Sequence, residues 1–190
     1  DAGWVGLRGR ALVSLGRGLG MAGAVGKGRG EWVTTRLTAG MGPDVEREGG
    51  RPVDQASATG ALRCAQLLID HGADVDARNA EWDAFPLGTA SWSQRPEMVE
   101  LLGRYSRDIW ELVYTGRVKR VGELLAEDPE RARVLSNTGD TPLMWLPSDE
   151  EQAFALVQLL LDHGADAGAR NIAGATAATI ARNRGMTKVA

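Results

Sequence analysis

Thirteen residues of this chain occur twice: LLIDHGADVDARN at 67–79 returns as LLLDHGADAGARN at 159–171, with ten of the thirteen positions identical. A chain with internal copies is built from units that share one local conformation. The copies lie 92 residues apart, which divides into about three units of ~30 residues, the length of one helix-turn-helix element in a stacked array. Worn intermediate copies are present at 85–102 (FPLGTASWSQRPEMVELL), 109–125 (IWELVYTGRVKRVGELL) and 141–161 (TPLMWLPSDEEQAFALVQLLL).

Each copy carries the marks of a helix and its end. Phe154, Val157, Leu160 and Leu161 recur at helical spacing, which predicts one buried stripe on the second helix of that unit. Gly164 follows, able to take the left-handed conformation that ends a helix, and Ala165 and Asp166 suit the turn leading out. Leu67, Leu68 and Gly72 repeat the pattern. At the start of the fourth unit, Asp140 or Thr141 is placed to cap free amides, and Pro142 occupies an early helical position where its missing donor is harmless. A single helix pair cannot bury its apolar faces alone, so the units are expected to stack.

These residues resemble ankyrin repeats. Thr141 to Met144 (TPLM) looks like the family's TPLH turn, both HGAD stretches look like its helix-ending GAD motif, and GATAATIARNRG at 174–185 resembles the opening of a last repeat. GGRPVDQASATGALRCAQLLIDHGAD at 49–74 reads as a full first repeat with Arg51 in the usual Thr position. The resemblance implies an all-α fold, a solenoid of four to five stacked helix-turn-helix units with short β-hairpin loops, over residues 48–190. Residues 1–47 then form a glycine-rich irregular lead-in or a degenerate repeat, with EWVTTRLTAGMGPD at 31–44 its only repeat-like stretch.

Three departures from the family pattern carry expectations of their own. Only GRYSRD separates Leu102 from Ile109, so one finger is expected to be missing. Extra residues around Leu146 to Asp149 lengthen the turn of the fourth unit, where Pro147 should stop the first helix early. The chain ends at Ala190 inside what should be a second helix, and begins with Asp1 rather than Met; both suggest a fragment and leave targeting unreadable.

Composition narrows the function classes. Lys plus Arg total 22 against 25 Asp plus Glu, a net charge of -3, which offers no broad cationic field for a nucleic-acid backbone. Arg8, Arg10, Arg17, Lys27 and Arg29 interrupt the one region that could otherwise approach a membrane span. The single Cys64 can close no internal disulfide and fits a reducing compartment, so the expected address is cytoplasmic. Fifteen of the 25 glycines fall within residues 1–60, where they oppose regular structure. GLGMAG at 18–23 formally matches GxGxxG, but no β-rich run precedes it, and a dinucleotide enzyme is the weakest of the readings.

Chemistry of other kinds has few candidates. His71 and His163, the two histidines, occupy the same place in two copies of one motif, which points to a helix-end role rather than metal ligation or acid/base work. Cys64 falls on an apolar helix face. Glu127, Asp128 and Glu130, and Asp149 to Glu151, border helix ends, where carboxylates act as caps; Arg117, Lys119 and Arg120 read as solvated surface. No catalytic residue, metal site or cofactor is assigned.

Tryptophan is the informative excess, six of ten aromatic residues. Aligned on the repeat, Trp92, Tyr114 and Trp145 fall toward the end of the first helix, the side that lines the groove in ankyrin proteins, although packing between repeats competes with a binding role. Trp82 falls in a finger, and Trp110, at the TPLH histidine position, is assigned to the core. The resemblance implies a monomeric, non-catalytic module that binds another protein in its concave groove. The contact residues on that reading are Arg78, Asn79, Trp82, Asp83, Trp92, Tyr114, Arg133, Trp145, Arg170 and Asn171. The alternative is a regulatory or targeting part of a larger enzyme whose catalytic region lies outside this sequence.

Overall fold

The computed structural model describes residues 20–45, 50–79 and 84–189, which fall in two compact units, Asp1–Tyr105 and Ser106–Ala190. In the first unit three helix pairs follow one another: α1 (Met21–Gly26) and α2 (Gly30–Thr38), α3 (Pro52–Thr59) and α4 (Leu62–Asp70), α5 (Pro86–Trp92) and α6 (Pro96–Tyr105). The first helices α1, α3 and α5 pack in one row, and the second helices α2, α4 and α6 in another. In the second unit α7 (Ile109–Tyr114) and α8 (Val118–Glu127) make a pair, a 3₁₀ turn at Pro142–Met144 precedes α9 (Glu150–Asp162), and α10 (Ala177–Asn183) follows. There the 3₁₀ turn packs against α7 and α10, while α8 packs against α9. Among the described residues strand pairing is confined to one antiparallel bridge between Asn79 and Ala84.

The two rows follow from what each short helix can bury. Val53 and Ala56 on α3, Cys64, Ala65 and Leu68 on α4, and Met98 and Leu102 on α6 are almost fully excluded from solvent. Small residues such as Ala56 and Ala65 let neighbouring backbones approach, and Leu68 and Leu102 are fully enclosed. Burial also raises the Cys64 thiol above its ordinary range, which makes it a packing group rather than a nucleophile.

The duplicated motif folds the same way in both places. His71 and His163 are the C-caps of α4 and α9, and each Nδ1 lies 2.8 Å from the carbonyl oxygen four residues back, Leu67 or Leu159. Gly72 and Gly164 both stand at φ 85°. Ala73 N–H donates to Leu68 O and Ala165 N–H to Leu160 O, each at 2.9 Å. The next turn is closed by a carboxylate in both copies, Asp74 accepting from Asp76 N–H and Asp166 from Gly168 N–H.

Three local readings change. The buried stripe on α9 is Ala153, Leu156 and Leu160, whereas Phe154 and Leu161 are exposed and Val157 is half-buried. This helix is apolar on more than one side, so periodicity leaves two registers open, and the face with the small Ala153 is the one that packs. Within the glycine-rich lead-in, α1 and α2 are helical because Gly20, Gly26, Gly28 and Gly30 sit at helix boundaries. Met21, Ala22, Val25, Trp32, Val33 and Leu37 supply the buried surface. Gly18 and Leu19 of the GxGxxG match lie outside the described residues, and Met21 to Gly23 are part of α1. The fourth unit's first helix is reduced to a three-residue 3₁₀ turn, as the early Pro147 requires. Neither Asp140 nor Thr141 caps it: the Thr141 hydroxyl is buried with no acceptor.

Gly164→Ala and Gly72→Ala should each destabilise the fold by about 1–2 kcal/mol, the cost of a side chain in the left-handed region. Gly164→Ala should cost more, because the added Cβ collides with the Arg133 guanidinium while the space beside Gly72 is open. Urea denaturation of the two variants measures the difference.

Candidate partner-binding surface

In the second unit the first-helix row carries an aromatic cluster. Trp110 and Tyr114 are four residues apart on α7, hence on one face of it, and both are half-buried. Trp145 follows the 3₁₀ turn and packs edge-on against both, with ring centroids 5.9 Å from Trp110 and 6.4 Å from Tyr114. Trp145 keeps 39% of its surface exposed. Trp110, assigned to the core from its repeat position, therefore shares a partly open face with the two groove candidates.

The second unit also carries two fingers. Ser136 to Asp140 close one through Ser136 N–H to Asp140 O at 3.0 Å, and Asn171 to Ala175 close the other through Asn171 N–H to Ala175 O at 3.1 Å. Ile172 N–H donates to Thr138 O at 2.9 Å and ties the fingers together. The Asn171 side chain accepts from Ala175 N–H and donates to Asp140 Oδ1, 2.8 Å away. Arg170 is exposed at the foot of the second finger, its Nη1 on Gly174 O at 2.8 Å. Arg133 donates from Nε to Gly164 O at 2.7 Å and pairs with Glu130, which places it over the carbonyl end of α9.

Asp140 is the electrostatic centre of the fingers. Burial works against its charge, but donors from Asn171, Thr138, Trp145 and Ser136 outweigh burial and hold the carboxyl below the usual range.

In the first unit the corresponding asparagine does different work. Asn79 is 2% exposed; its N–H donates to Ala84 O at 2.8 Å, and its side chain donates to Asp54 Oδ2 at 2.7 Å. Asp54 also receives a two-pronged bond from Arg51, Nε at 3.1 Å and Nη2 at 2.9 Å, and Arg51 further donates to Ala77 O. Arg51 and Asp54 are both buried, so the arginine at the usual threonine position is neutralised by the aspartate three residues on. Arg78 is exposed with its guanidinium 5.7 Å from the Phe85 ring centre. Trp92 ends α5 at 62% exposure. Trp82 and Asp83 lie outside the described residues.

Of the ten contact candidates, then, Trp92, Tyr114, Trp145, Arg78 and Arg170 offer surface, while Asn79 is enclosed and Asn171 and Arg133 brace fingers and a helix end. Sequence reading passed over Leu135 and Ile172, exposed at 66% and 80% respectively. An isolated apolar residue in a turn gives no periodic signal to find it by. Among the described residues no group of three His, Cys, Asp or Glu could hold a metal ion, and no helix is long and apolar enough to cross a membrane.

Two outcomes test these networks. Asp54→Ala should cost about 3–5 kcal/mol, because it strands a buried guanidinium, and the paired replacement Arg51→Met with Asp54→Leu should recover most of that loss; chemical denaturation reads both. Asp140 has a depressed folded-state pKa, so its stabilisation is complete above the unfolded value of about pH 4 and is lost as pH falls through the folded value. The melting temperature of Asp140→Asn should therefore lie below that of the parent at neutral pH, with the gap closing below about pH 4.

Comparison with known proteins agrees with the geometry. A family model described as ankyrin repeats (many copies) matches residues 53–102. An ankyrin repeat domain from Acinetobacter baumannii AYE superposes with a TM-score of 0.64 at 21% identity, covering 89% of this chain and 93% of that one. The ankyrin repeat domain of Bcl-3, described as a unique member of the IkappaB protein family, gives 0.57 at 22% identity, covering 89% and 80%. No curated protein sequence matches the chain. The chain has the ankyrin-repeat fold, and residues 53–102 match the family's own model.

Proposed function

We propose that this protein is a non-catalytic protein-protein interaction module that holds another protein against its first-helix faces and fingers. The observation that carries the reading is the Trp110, Tyr114 and Trp145 cluster, partly open to solvent on α7 and the 3₁₀ turn. Aromatic side chains with a polar edge make rigid anchors that lose little entropy on binding. The fold is one that serves protein interaction in many settings, and a fold alone does not name a ligand.

On this reading Trp92, Tyr114, Trp145, Arg78 and Arg170 touch the partner, joined by Trp82 and Asp83 from the first unit's finger. Asn79, Asn171 and Arg133 set the shape of the surface. The repeat domain covers residues 48–190, and the α1 and α2 pair is a degenerate repeat in the lead-in. The protein acts as a cytoplasmic monomer without cofactor, and nucleic acid and membrane are not its partners.

Replacing Trp92 and Trp145 by alanine together should weaken capture of the partner from source-cell extract at least tenfold, the loss expected of two interface anchors at about 1 kcal/mol or more each. The melting temperature should move by only a few degrees, about 2–8 °C. Loss of the cooperative melting transition would assign the two rings to the core and remove the proposal.

A further inference from the structure

On the second-helix row of the first unit, α4 and α6 leave a groove of about 710 Å³ between them. Part of its lining is apolar and within reach of solvent: Leu62 of α4 keeps 38% of its surface exposed, and α6 adds the exposed Pro96 and the half-buried Leu101. Gln66, also in the lining, donates from Nε2 to Asp70 Oδ1 at 2.7 Å and to the Tyr105 hydroxyl at 3.3 Å, which ties α4 to the last residue of α6.

The second unit shows what such a space becomes when it is filled. Gly122 of α8 stands six residues after Gly116, as Gln66 of α4 stands six residues after Gly60, and both of those leading glycines have φ 74°. Leu159 of α9 lies against Gly122, its two methyls 3.7 and 3.9 Å from where a Cβ would stand. A leucine therefore seats on the bare backbone of the preceding helix there, whereas in the first unit a glutamine side chain occupies the glycine's position and the groove stays open.

Charge says what fits it. Glu97 of α6 and Arg63 of α4 both line the groove and are exposed, and among the described residues neither has an ion pair or a side-chain hydrogen bond. Arg63 forms the rim on α4, its stem resting against Gly30 of α2. The other two charges of the lining, Glu100 and Arg104, pair with each other at 3.3 Å. An occupant with charge of one sign meets repulsion from Glu97 or from Arg63, so the complementary surface carries both signs beside an apolar stripe. The trough between two neighbouring helices suits a third helix, which anchors itself through side chains at i, i+3, i+4 and i+7.

We propose that this groove is a second docking site, which takes an amphipathic helix of a partner protein. The helix lays its apolar stripe over Leu62, Pro96 and Leu101, with a basic residue meeting Glu97 and an acidic residue meeting Arg63. The site shares no residue with the aromatic surface proposed above, and the two stand or fall separately.

The test selects peptides on the full chain from a phage library in which one face of an alanine-rich helix of about sixteen residues is randomised, with depletion on Leu62→Lys. Leu62, Arg63 and Glu97 are all exposed, so their variants should melt within a few degrees of the parent. The enriched peptides should carry an apolar stripe with charges of both signs beside it, and should bind Leu62→Lys at least tenfold more weakly than the parent. Glu97→Ala and Arg63→Ala should each weaken them about threefold. The paired reversal Arg63→Glu with Glu97→Lys should weaken them further and prefer a peptide whose acidic and basic residues are exchanged. Failure to enrich any Leu62-dependent peptide would overturn the proposal, as would affinities unmoved by both charge replacements. Sedimentation of the chain as a dimer that Leu62→Lys dissociates would give the groove to a second copy and overturn it too.

Discussion

Burial between neighbouring helix pairs is the interaction on which everything else in this protein depends. Helices of six to thirteen residues are too short to persist in water on their own, since nucleation is costly and propagation adds little over so few turns. Within each unit they acquire their stability from the elements packed beside them. That is why Leu68, Leu102, Leu124, Leu156 and Leu160 are fully enclosed although no element is large.

What the sequence disclosed was the part that repeats. The duplicated thirteen residues announced their own conformation, since a glycine after an apolar helix with a short acidic turn beyond it admits few backbone solutions. The two copies agree down to single hydrogen bonds. The shortened first helix of the fourth unit was also legible, because proline leaves so little choice. Trp92 and Trp145 stand at the ends of α5 and of the 3₁₀ turn with part of their surface exposed.

The rest was hidden for physical reasons. On α9 the segment ALVQLLL is apolar on more than one face, so the choice between Phe154 and Leu156 for the interior was made by the neighbouring helix. Glycine in the lead-in counted against helix by composition, yet several of those glycines fall at boundaries, where their freedom costs the helices little. Asn79 and Asn171 stood among the contact residues because fingers are usually variable, but an amide beside a carboxylate in another segment is a long-range fact. So is the Arg51 and Asp54 pair, whose members look like ordinary solvated charges until burial is known.

That pair makes the array directional. Tandem repeats are commonly imagined as exchangeable bricks, which recombination can duplicate, delete or reorder with modest harm. Here the unit that opens with Arg51 needs Asp54 within itself and an amide from its own finger, whereas the unit that opens with Thr141 has Met144 in the place of that acid. A crossover joining the first half of one turn to the second half of the other would create either an arginine or an aspartate sealed in the interior with no opposite charge. Duplication of whole units remains open to this lineage, but shuffling within the turn does not.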